Sequence, residues 1–382
     1  KGFLVGDMID LGSATHPALV DVNADGLLDL VVGNYGYFTP GIAQNASLYY
    51  FRNTGTPTAP KFTLENSDWL GLSEFAPNDF DFYPAFGDLD NDNDLDLLVG
   101  STGGALYYYR NIAGPGQPMQ FQRSFDLMWV LMDVGSYSTP AIVDLDSDGL
   151  KDIVMGERNG NLNFFRNTGA LDNPKFNAAP TFSKLGQVDA RFTSTDTIDV
   201  GFSAPVFIEQ PNGALLLITG TQGGHLLAHT NVVAWEDPYP LVSETWGNID
   251  EGNRSAPAFG DLDNDGILEM VVGNLRGGLS MFKTVLVDCT TSSSQTPAAP
   301  IAPQPQVAPN PAGNWVRVEW PLGQAVDWQA FDLLGRLVAQ GQAPAGVFTI
   351  SLQNWNAGAY LLTLRSAKGE TARVRLIKAG QP

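Results

Sequence analysis

Apolar and polar positions repeat in a fixed order along the first three quarters of the chain. An apolar run led by a proline is followed by a polar loop, and a second apolar run then ends in glycine. Short apolar runs bounded by turn residues are typical of buried β-strands. The pattern occurs as HPALVDVNADGLLDLVVGN from His16, YPAFGDLDNDNDLDLLVGS from Tyr83, TPAIVDLDSDGLKDIVMGE from Thr139, APVFIEQPNGALLLITGT from Ala204 and APAFGDLDNDGILEMVVGN from Ala256.

Each repeat also contains a third and a fourth strand pattern. The third is rich in aromatic residues, as in SLYYFRNTG and ALYYYRN, and the fourth lies around Phe62, Phe121 and Phe176. The shared prolines are 67, 56, 65 and 52 residues apart, and no stretch of the repeats shows sustained helical periodicity. Four strands repeated radially form a propeller blade. We therefore predict an all-β protein containing a β-propeller of four-stranded blades, with five repeats visible.

The total number of blades stays open at this point. The chain opens with Lys1 rather than Met and reads like mid-domain sequence, so we expect a processed or truncated N-terminus. The opening KGFLVGDMIDLG could supply the outer strand of the last blade and close a ring, or further blades could precede it.

The composition changes after Lys283. A tract rich in Ser, Thr, Pro and Ala is typical of a semi-extended linker, and six or seven short alternating segments follow it. Such segments, separated by Gly or Asn turns, predict a small β-sandwich. The predicted domains are thus a propeller over 1–286, a linker over 287–306 and a C-terminal sandwich over 307–382.

The polar loops of four repeats carry oxygen-bearing side chains at relative positions 1, 3, 5 and 9. Position 6 is Gly26 in the first loop, which permits a sharp turn, and Asn93 in the second, which also tolerates positive φ. Alternate oxygens, a backbone carbonyl at position 7 and a final carboxylate match the shell of about 6 to 8 oxygens that calcium prefers, whereas magnesium takes few protein ligands. The predicted metal ligands are Asp21, Asn23, Asp25, Leu27 and Asp29; Asp88, Asp90, Asp92, Asp94 and Asp96; Asp144, Asp146, Asp148, Leu150 and Asp152; and Asp261, Asp263, Asp265, Ile267 and Glu269.

The fourth repeat departs from this pattern. Its loop reads EQPNG from Glu209 and is one residue shorter, so we predict a blade that keeps its strands and binds no metal there. Asp, Asn and Gly are also common turn residues, and one acidic loop alone would fit a solvated turn. Four loops at one spacing favour about four structural calcium ions, because carboxylates packed together without a cation repel one another by about several kcal/mol.

These strings, FGDLDNDG among them, resemble the FG-GAP or VCBS repeat of integrin-α-like propellers over roughly residues 1–286. The resemblance implies that the loop residues named above hold calcium, that the metals are structural on one face, and that ligands bind elsewhere. Asn23, Asn93 and the loop near Pro211 depart from the family pattern.

The C-terminal segment carries Pro309-Asn310-Pro311, FDLLGRLV from Phe331, AGAYLLTL from Ala357 and RVRLIK from Arg373. In order, spacing and terminal position these marks resemble the type A sorting domain of type IX secretion substrates in Bacteroidetes-type bacteria. The resemblance implies that the type IX machinery handles residues 307–382 and that the protein is secreted or displayed on the outer cell surface. An ordinary accessory sandwich is the alternative.

The charge distribution restricts the partners. The formal net charge is −20, and residues 301–382 carry seven basic and four acidic residues, so the first 300 residues hold −20 − 3 = −23. This excess argues against nucleic acid and anionic membrane as partners and favours cations. A single cysteine, Cys289, excludes an intramolecular disulfide, and no apolar run is long enough to span a bilayer.

Catalytic signatures are absent from the sequence. It contains no GxSxG, HExxH or phosphate-binding glycine loop, and we interpret His225 and His229 as partly buried strand residues. We expect a calcium-binding adhesion or binding module that contacts an extracellular protein or polysaccharide, with the strand aromatics packing between blades or stacking on sugars. The alternative is the accessory or catalytic part of a secreted carbohydrate-active enzyme, with paired carboxylates hidden among the loops or a catalytic domain upstream.

Overall fold

The structure is a computed structural model that divides into two compact units, residues 1–293 and 294–382. It describes residues 11–36, 46–76, 78–191, 200–210, 213–230, 232, 235–287, 306–308, 313–320, 325–332, 337–356, 358–366 and 371–378. Each unit is considered by itself.

The described residues of the first unit form five antiparallel sheets, and within each sheet the strands follow chain order. The first sheet comprises β1 (His16–Val20), β2 (Asp29–Gly33), β3 (Leu48–Asn53) and β4 (Phe62–Asn66). The second comprises β5 (Tyr83–Gly87), β6 (Asp96–Gly100), β7 (Leu106–Asn111) and β8 (Phe121–Arg123), and the third β9 (Thr139–Val143), β10 (Asp152–Gly156), β11 (Leu162–Phe165) and β12 (Phe182–Ser183). The fourth comprises β13 (Ala204–Glu209), β14 (Leu215–Gly220), β15 (Leu226–His229) and β16 (Leu241–Ser243), and the fifth β17 (Ala256–Gly260), β18 (Ile267–Gly273) and β19 (Leu279–Val287).

Short helical segments connect the sheets. They are three-residue 3₁₀ turns at Trp69–Gly71, Leu185–Gln187 and Trp246–Asn248, with α1 at Leu72–Phe75 and α2 at Leu127–Leu131. None of the helices in the described residues is long and apolar enough to cross a membrane.

The repeated proline suits the first strand of each sheet. Pro17 lies opposite Val32 in the β1–β2 ladder, and β1 is an edge strand, where the missing N–H of proline removes no bond to a second neighbour. The second strand lies inside the sheet, and every residue of β2, β6 and β10 is buried. The continuous apolar runs therefore become strands covered on both faces.

The junctions between neighbouring sheets are built alike and close a ring. At each junction the N–H of the residue before one inner strand donates to the carbonyl of the residue just after the second strand of the preceding sheet. These bonds are Phe82 to Asn34, Ser138 to Ser101, Ser203 to Glu157, Ser255 to Thr221 and, between the last and first sheets, Thr15 to Asn274, at 3.0–3.2 Å. The inner strands contact one another in the same cyclic order. The predicted β-propeller of four-stranded blades is thus confirmed, and the described residues form five blades.

The glycine that ends each second strand is required by these junctions. A Cβ added at Gly156 would lie 2.1 Å from the carbonyl oxygen of Ser203, and the equivalent glycines meet a neighbouring carbonyl in the same way. In the described residues the fifth blade has three strands. The predicted fourth strand from the start of the chain falls mainly on residues 1–10, outside the described residues.

In the described part of the second unit there are seven strands: β20 (Gln306–Ala308), β21 (Trp315–Trp320), β22 (Val326–Asp332), β23 (Leu337–Ala343), β24 (Gly346–Ser351), β25 (Gly358–Ser366) and β26 (Thr371–Lys378). They form two antiparallel sheets, ordered β20-β21-β24 and β23-β22-β25-β26. Their inner faces supply one core that includes Val316, Ile350, Leu362 and Leu376. The predicted C-terminal β-sandwich is confirmed; the predicted linker and Pro309-Asn310-Pro311 lie almost entirely outside the described residues.

Candidate metal sites on the propeller

The four acidic loops connect the first and second strands of blades 1, 2, 3 and 5, and they share one backbone geometry. In the first, the Asp21 carboxylate accepts the N–H groups of Asp25 at 3.2 Å and Gly26 at 2.8 Å. Gly26 has φ +85°, and in the second loop Asn93 takes the same place with φ +65°. The carboxylate at position 1 therefore folds each loop back on itself, and the turn residue at position 6 is left-handed, as the sequence predicted.

The carboxylate at position 9 is buried; it begins the second strand in blades 1 to 3 and is the third residue of that strand in blade 5. Asp29 accepts the N–H of Val22 at 3.1 Å and that of Asn53 at 2.7 Å, and the hydroxyl of Tyr50 donates to it at 3.0 Å. Asp96 and Asp152 make the same two backbone bonds in blades 2 and 3, and Glu269 accepts the N–H of Leu262 in blade 5. In blades 1 to 3 the position 9 side chain therefore links the acidic loop to the end of the third strand. In blade 5 it accepts a hydrogen bond from the acidic loop.

The position 5 carboxylate is also committed to the loop. It accepts the N–H of position 7, from Asp25 to Leu27, Asp92 to Asp94, Asp148 to Leu150 and Asp265 to Ile267, at 2.9–3.1 Å. The side chain of Asp94 has a further role, because it accepts the N–H of Gly114 from the β7–β8 turn at 2.8 Å. Positions 5 and 7 are thereby fixed relative to each other in every loop.

Carboxylates meet closely in three of the loops. Oxygen atoms lie within 4.8 Å of one another in the sets Asp88, Asp90 and Asp92; Asp144, Asp146 and Asp152; and Asp261, Asp263 and Asp265. Several buried ligand oxygens accept no hydrogen bond: Asp90 Oδ1, Asp94 Oδ1, Asp144 Oδ1, Asp263 Oδ1 and Glu269 Oε1. Buried polar atoms are normally satisfied. Oxygens without a hydrogen bond at positions 1, 3, 7 and 9, in loops whose carboxylates lie this close together, fit the donor set of a hard cation such as calcium.

Burial makes these carboxylates costly as free anions. It raises the pKa of Asp96 and that of Asp152 to about 7, even though backbone N–H groups oppose the shift. Burial likewise raises the pKa of Asp29 and of Glu269. A bound divalent cation would favour the ionised form and offset this penalty.

Sequence reasoning missed a basic residue beside every acidic loop. In blade 5 it pairs with position 9, and in blades 1 to 3 it directly follows the third-strand residue that pairs with position 10. It reaches the carboxylates at positions 3 and 5 in blades 2, 3 and 5, and that at position 5 in blade 1. Arg110 Nε is 2.6 Å from Asp90, and Lys283 Nζ is 2.8 Å from Asp263 and 2.5 Å from Asp265. In blade 3, Arg166 contacts Asp146 at 2.5 Å and Asp148 at 3.0 Å, and in blade 1, Arg52 contacts Asp25 at 3.3 Å. The signal was present in the repeats as the basic residue of YFRN, YYRN, FFRN and MFKT.

Blade 4 lacks the acidic loop, the position 9 carboxylate and the basic residue of the other blades. A tight turn, with Gly213 N–H donating to the Gln210 carbonyl at 2.8 Å, takes the place of the acidic loop. Leu216 occupies position 9, and Thr230 follows His229 where the other blades have Arg or Lys. The blade keeps its four strands, as the sequence predicted. Pro211 and Asn212 lie outside the described residues.

A second charged cluster lies on the propeller axis, at the face opposite the acidic loops. Arg254 Nη1 is 3.0 Å from the buried carboxylate of Asp81, which also bonds His16 Nε2 at 2.6 Å. The guanidinium lies 3.8 Å from the ring centroid of Phe202 and 4.9 Å from that of Tyr137. Burial lowers the pKa of His16. These groups come from five different blades, and no local sequence signal marks them.

The backbone at the axis is unusual. The residue two positions before each inner strand is left-handed, with φ between 46° and 60° at Ala14, Asp81, Tyr137, Phe202 and Arg254. Such φ values cost free energy in non-glycine residues and persist where the surroundings fix them. Here the hydrogen bonds at the blade junctions fix the left-handed conformation. This conformation directs the side chains toward one another.

The remaining sequence candidates are structural in character. His229 is 5% exposed, and His225 Nδ1 lies 3.2 Å from the Ile249 carbonyl oxygen. Tyr50, Tyr108 and Phe164 are buried, so these strand aromatics pack inside the propeller rather than form a sugar-stacking surface.

A ring of four-stranded blades with an acidic loop after the inner strand defines a repeat β-propeller. Residues 21–99 match the model of the FG-GAP-like repeat, and residues 306–379 match that of the secretion system C-terminal sorting domain. The chain therefore contains FG-GAP-like repeats and ends in a sorting domain, which directs export to the outer cell surface or the medium through the type IX secretion machinery.

Among known proteins, integrin alpha-3 from Cricetulus griseus is 26% identical over 166 residues, covering 41% of this chain and 15% of that protein. The match thus spans far less than two thirds of that relative. The extracellular domain of the one-component system BT4673 from B. thetaiotaomicron matches with 8% identity and a TM-score of 0.28, over 94% of this chain and 50% of that one. Dimeric latent PorU from Porphyromonas gingivalis matches with 12% identity and a TM-score of 0.17, over 97% and 34%.

Proposed function

We propose that this exported propeller is a calcium-loaded, non-catalytic binding module that contacts an extracellular protein or polysaccharide. The observation that supports it best is that carboxylates meet closely in three of the acidic loops, which also contain buried oxygens without a hydrogen-bond partner. About four calcium ions would be held by the loop residues at positions 1, 3, 5, 7 and 9 of blades 1, 2, 3 and 5. When bound, each ion supplies the positive charge that offsets carboxylate repulsion.

Calcium would act on stability rather than on chemistry. Each acidic loop joins the inner strand to the second strand, and its position 9 carboxylate is a hydrogen-bond acceptor within the blade. A ligand that binds only the folded loops stabilises the fold by mass action. A chain exported through the secretion machinery would therefore reach full stability outside the cell, where calcium is abundant.

Partner contacts are proposed for the face opposite the acidic loops. The connections between blades lie there, and the side chains of Tyr35, Phe80 and Tyr137 are partly exposed near the axis. Aromatic side chains of this kind contribute most of the binding energy in many interfaces. The acidic loops on the other face would then bind calcium and stabilise the fold without contacting the partner.

The test combines a metal count with thermal unfolding of the purified full chain. We expect about four calcium ions per chain by mass spectrometry and a melting temperature that falls strongly in chelator. Glycan and extracellular-protein arrays, probed with calcium present at a temperature where both proteins are fully folded, should then give hits that Tyr137→Ala weakens. Absence of bound calcium, with equal melting curves in both conditions, would refute the calcium assignment.

A further inference from the structure

Every acidic loop contacts one basic side chain, and this side chain occurs in each repeat that has an acidic loop. The four basic residues occupy one aligned position of the repeat, on the third strand or, for Arg166, directly after it, in blades whose repeat periods differ. They are Arg52, Arg110, Arg166 and Lys283. Blade 4 has lost the loop and has Thr230 at that position. A general need of the third strand for a long side chain would have kept a basic residue in blade 4 as well. The basic residue is therefore found only in blades that have the loop carboxylates.

We infer that these four basic side chains are internal counterions, which calcium displaces from the loop carboxylates. The inference rests on the proposed calcium binding and names a determinant of its affinity. In the metal-free loop the basic group reduces repulsion among the carboxylates, and the folded loop persists. Because the same contacts must be given up when calcium binds, they also weaken calcium binding.

The contacts fall on the carboxylates that calcium would need. In blade 2, Arg110 Nε bonds Oδ2 of Asp90 at 2.6 Å and Nη2 lies 3.5 Å from Oδ2 of Asp92, while Oδ1 of Asp90 has no partner. Asp90 and Asp92 are positions 3 and 5. Calcium binds such oxygens at about 2.3–2.6 Å and carries a double positive charge. It would therefore lie close to the Arg110 guanidinium and be repelled by it.

The basic side chain is free to leave. The Arg110 side chain is 51% exposed and that of Lys283 is 48% exposed, so each can turn into solvent with little loss of packing. Exposed ion pairs of this kind contribute little singly, which makes them easy to displace. Arg110 and Lys283 each contact at least two loop carboxylates, so their removal should have a measurable effect on the metal-free loop.

The test compares Arg110→Met with Arg158→Met in the full chain. Methionine keeps most of the aliphatic stem and removes the charge. Arg158 is exposed, and its substitution changes the net charge equally, so it controls for long-range electrostatics. Calcium affinity is measured by competition with a chromophoric chelator, which gives the product of the macroscopic binding constants. Thermal unfolding is measured in excess chelator.

For Arg110→Met we expect the product of calcium association constants to rise roughly three- to tenfold and the melting temperature in chelator to fall by about 2 °C. Arg158→Met should change neither by a comparable amount. If the arginine instead positions the ligands, affinity will fall in Arg110→Met, and the inference is wrong. Equal affinity in wild type and Arg110→Met, with calcium bound to both, also overturns the inference and leaves the proposed function intact. A wild-type chain that binds no calcium overturns both.

Discussion

The buried histidine of blade 4 should make the propeller sensitive to acid. His229 is 5% exposed on β15, its Nδ1 has no hydrogen-bond partner in the described structure, and burial lowers its pKa to about 4. The unfolded chain has an ordinary histidine pKa of about 6.5, so between pH 6.5 and 4 the unfolded state binds more protons. Stability from this residue is therefore present above pH 6.5 and is lost as the pH falls.

The loss works out to about 2 kcal/mol between pH 7.5 and pH 5, and about 3 kcal/mol by pH 4. The other blades have an aromatic residue at this position, Phe51, Tyr109, Phe165 or Phe282, so His229→Phe should be accommodated. Urea unfolding of the full chain in saturating calcium at pH 7.5, 6 and 5 gives the free energy of unfolding for wild type and variant. The variant should gain about 2 kcal/mol relative to wild type on acidification, whatever its stability at pH 7.5. Parallel pH curves for the two proteins would refute the reasoning.

Three further substitutions test the framework. Asp152→Asn should cost about 1–3 kcal/mol of unfolding free energy even in chelator, because its NH₂ group cannot accept one of the two buried N–H groups that the carboxylate accepts; Asp148→Asn, at an exposed position, should cost less than about 1 kcal/mol. Arg254→Met should cost about 3–5 kcal/mol in urea unfolding, since it leaves the buried carboxylate of Asp81 with the His16 contact but without its arginine partner; a smaller loss would mean that water reaches the axis. Gly156→Ala places a Cβ 2.1 Å from a carbonyl oxygen and should lower the melting temperature sharply, whereas at Gly278 the nearest atom is 3.8 Å away and alanine should have little effect.

The repeat made most of the propeller predictable from sequence. Proline at the second position of each inner strand, buried runs in the second strand and glycine at its end are local features, and they occur in the same order five times. The periodicity also predicted the positions within each acidic loop. One example is Asn93, which replaces glycine at position 6 and has the left-handed conformation. The calcium ligands themselves stay a prediction, because spacing brings carboxylates together without identifying the ion.

Contacts between blades were not predictable in the same way. Asp81 and Arg254 are separated by 173 residues, and each lies in a connection whose sequence differs from blade to blade. Their pairing depends on ring closure, which brings the residue two positions before every inner strand to the axis. The counterions were missed for a different reason: Arg110 looks like an ordinary exposed strand residue until the register places it directly after the residue that pairs with position 10.

The two faces of the propeller divide its proposed roles, and the division can be tested. Substitutions in the acidic loops should change calcium affinity and stability, and should change partner binding only as far as the folded fraction changes. Substitutions at the axis face, such as Tyr137→Ala, should weaken partner binding while the number of bound calcium ions stays the same. The reason is distance within each blade: the acidic loop follows the end of the inner strand, whereas the axis residues precede its start. A calcium-loop substitution that abolished partner binding in a fully folded protein would place the partner on the metal face instead.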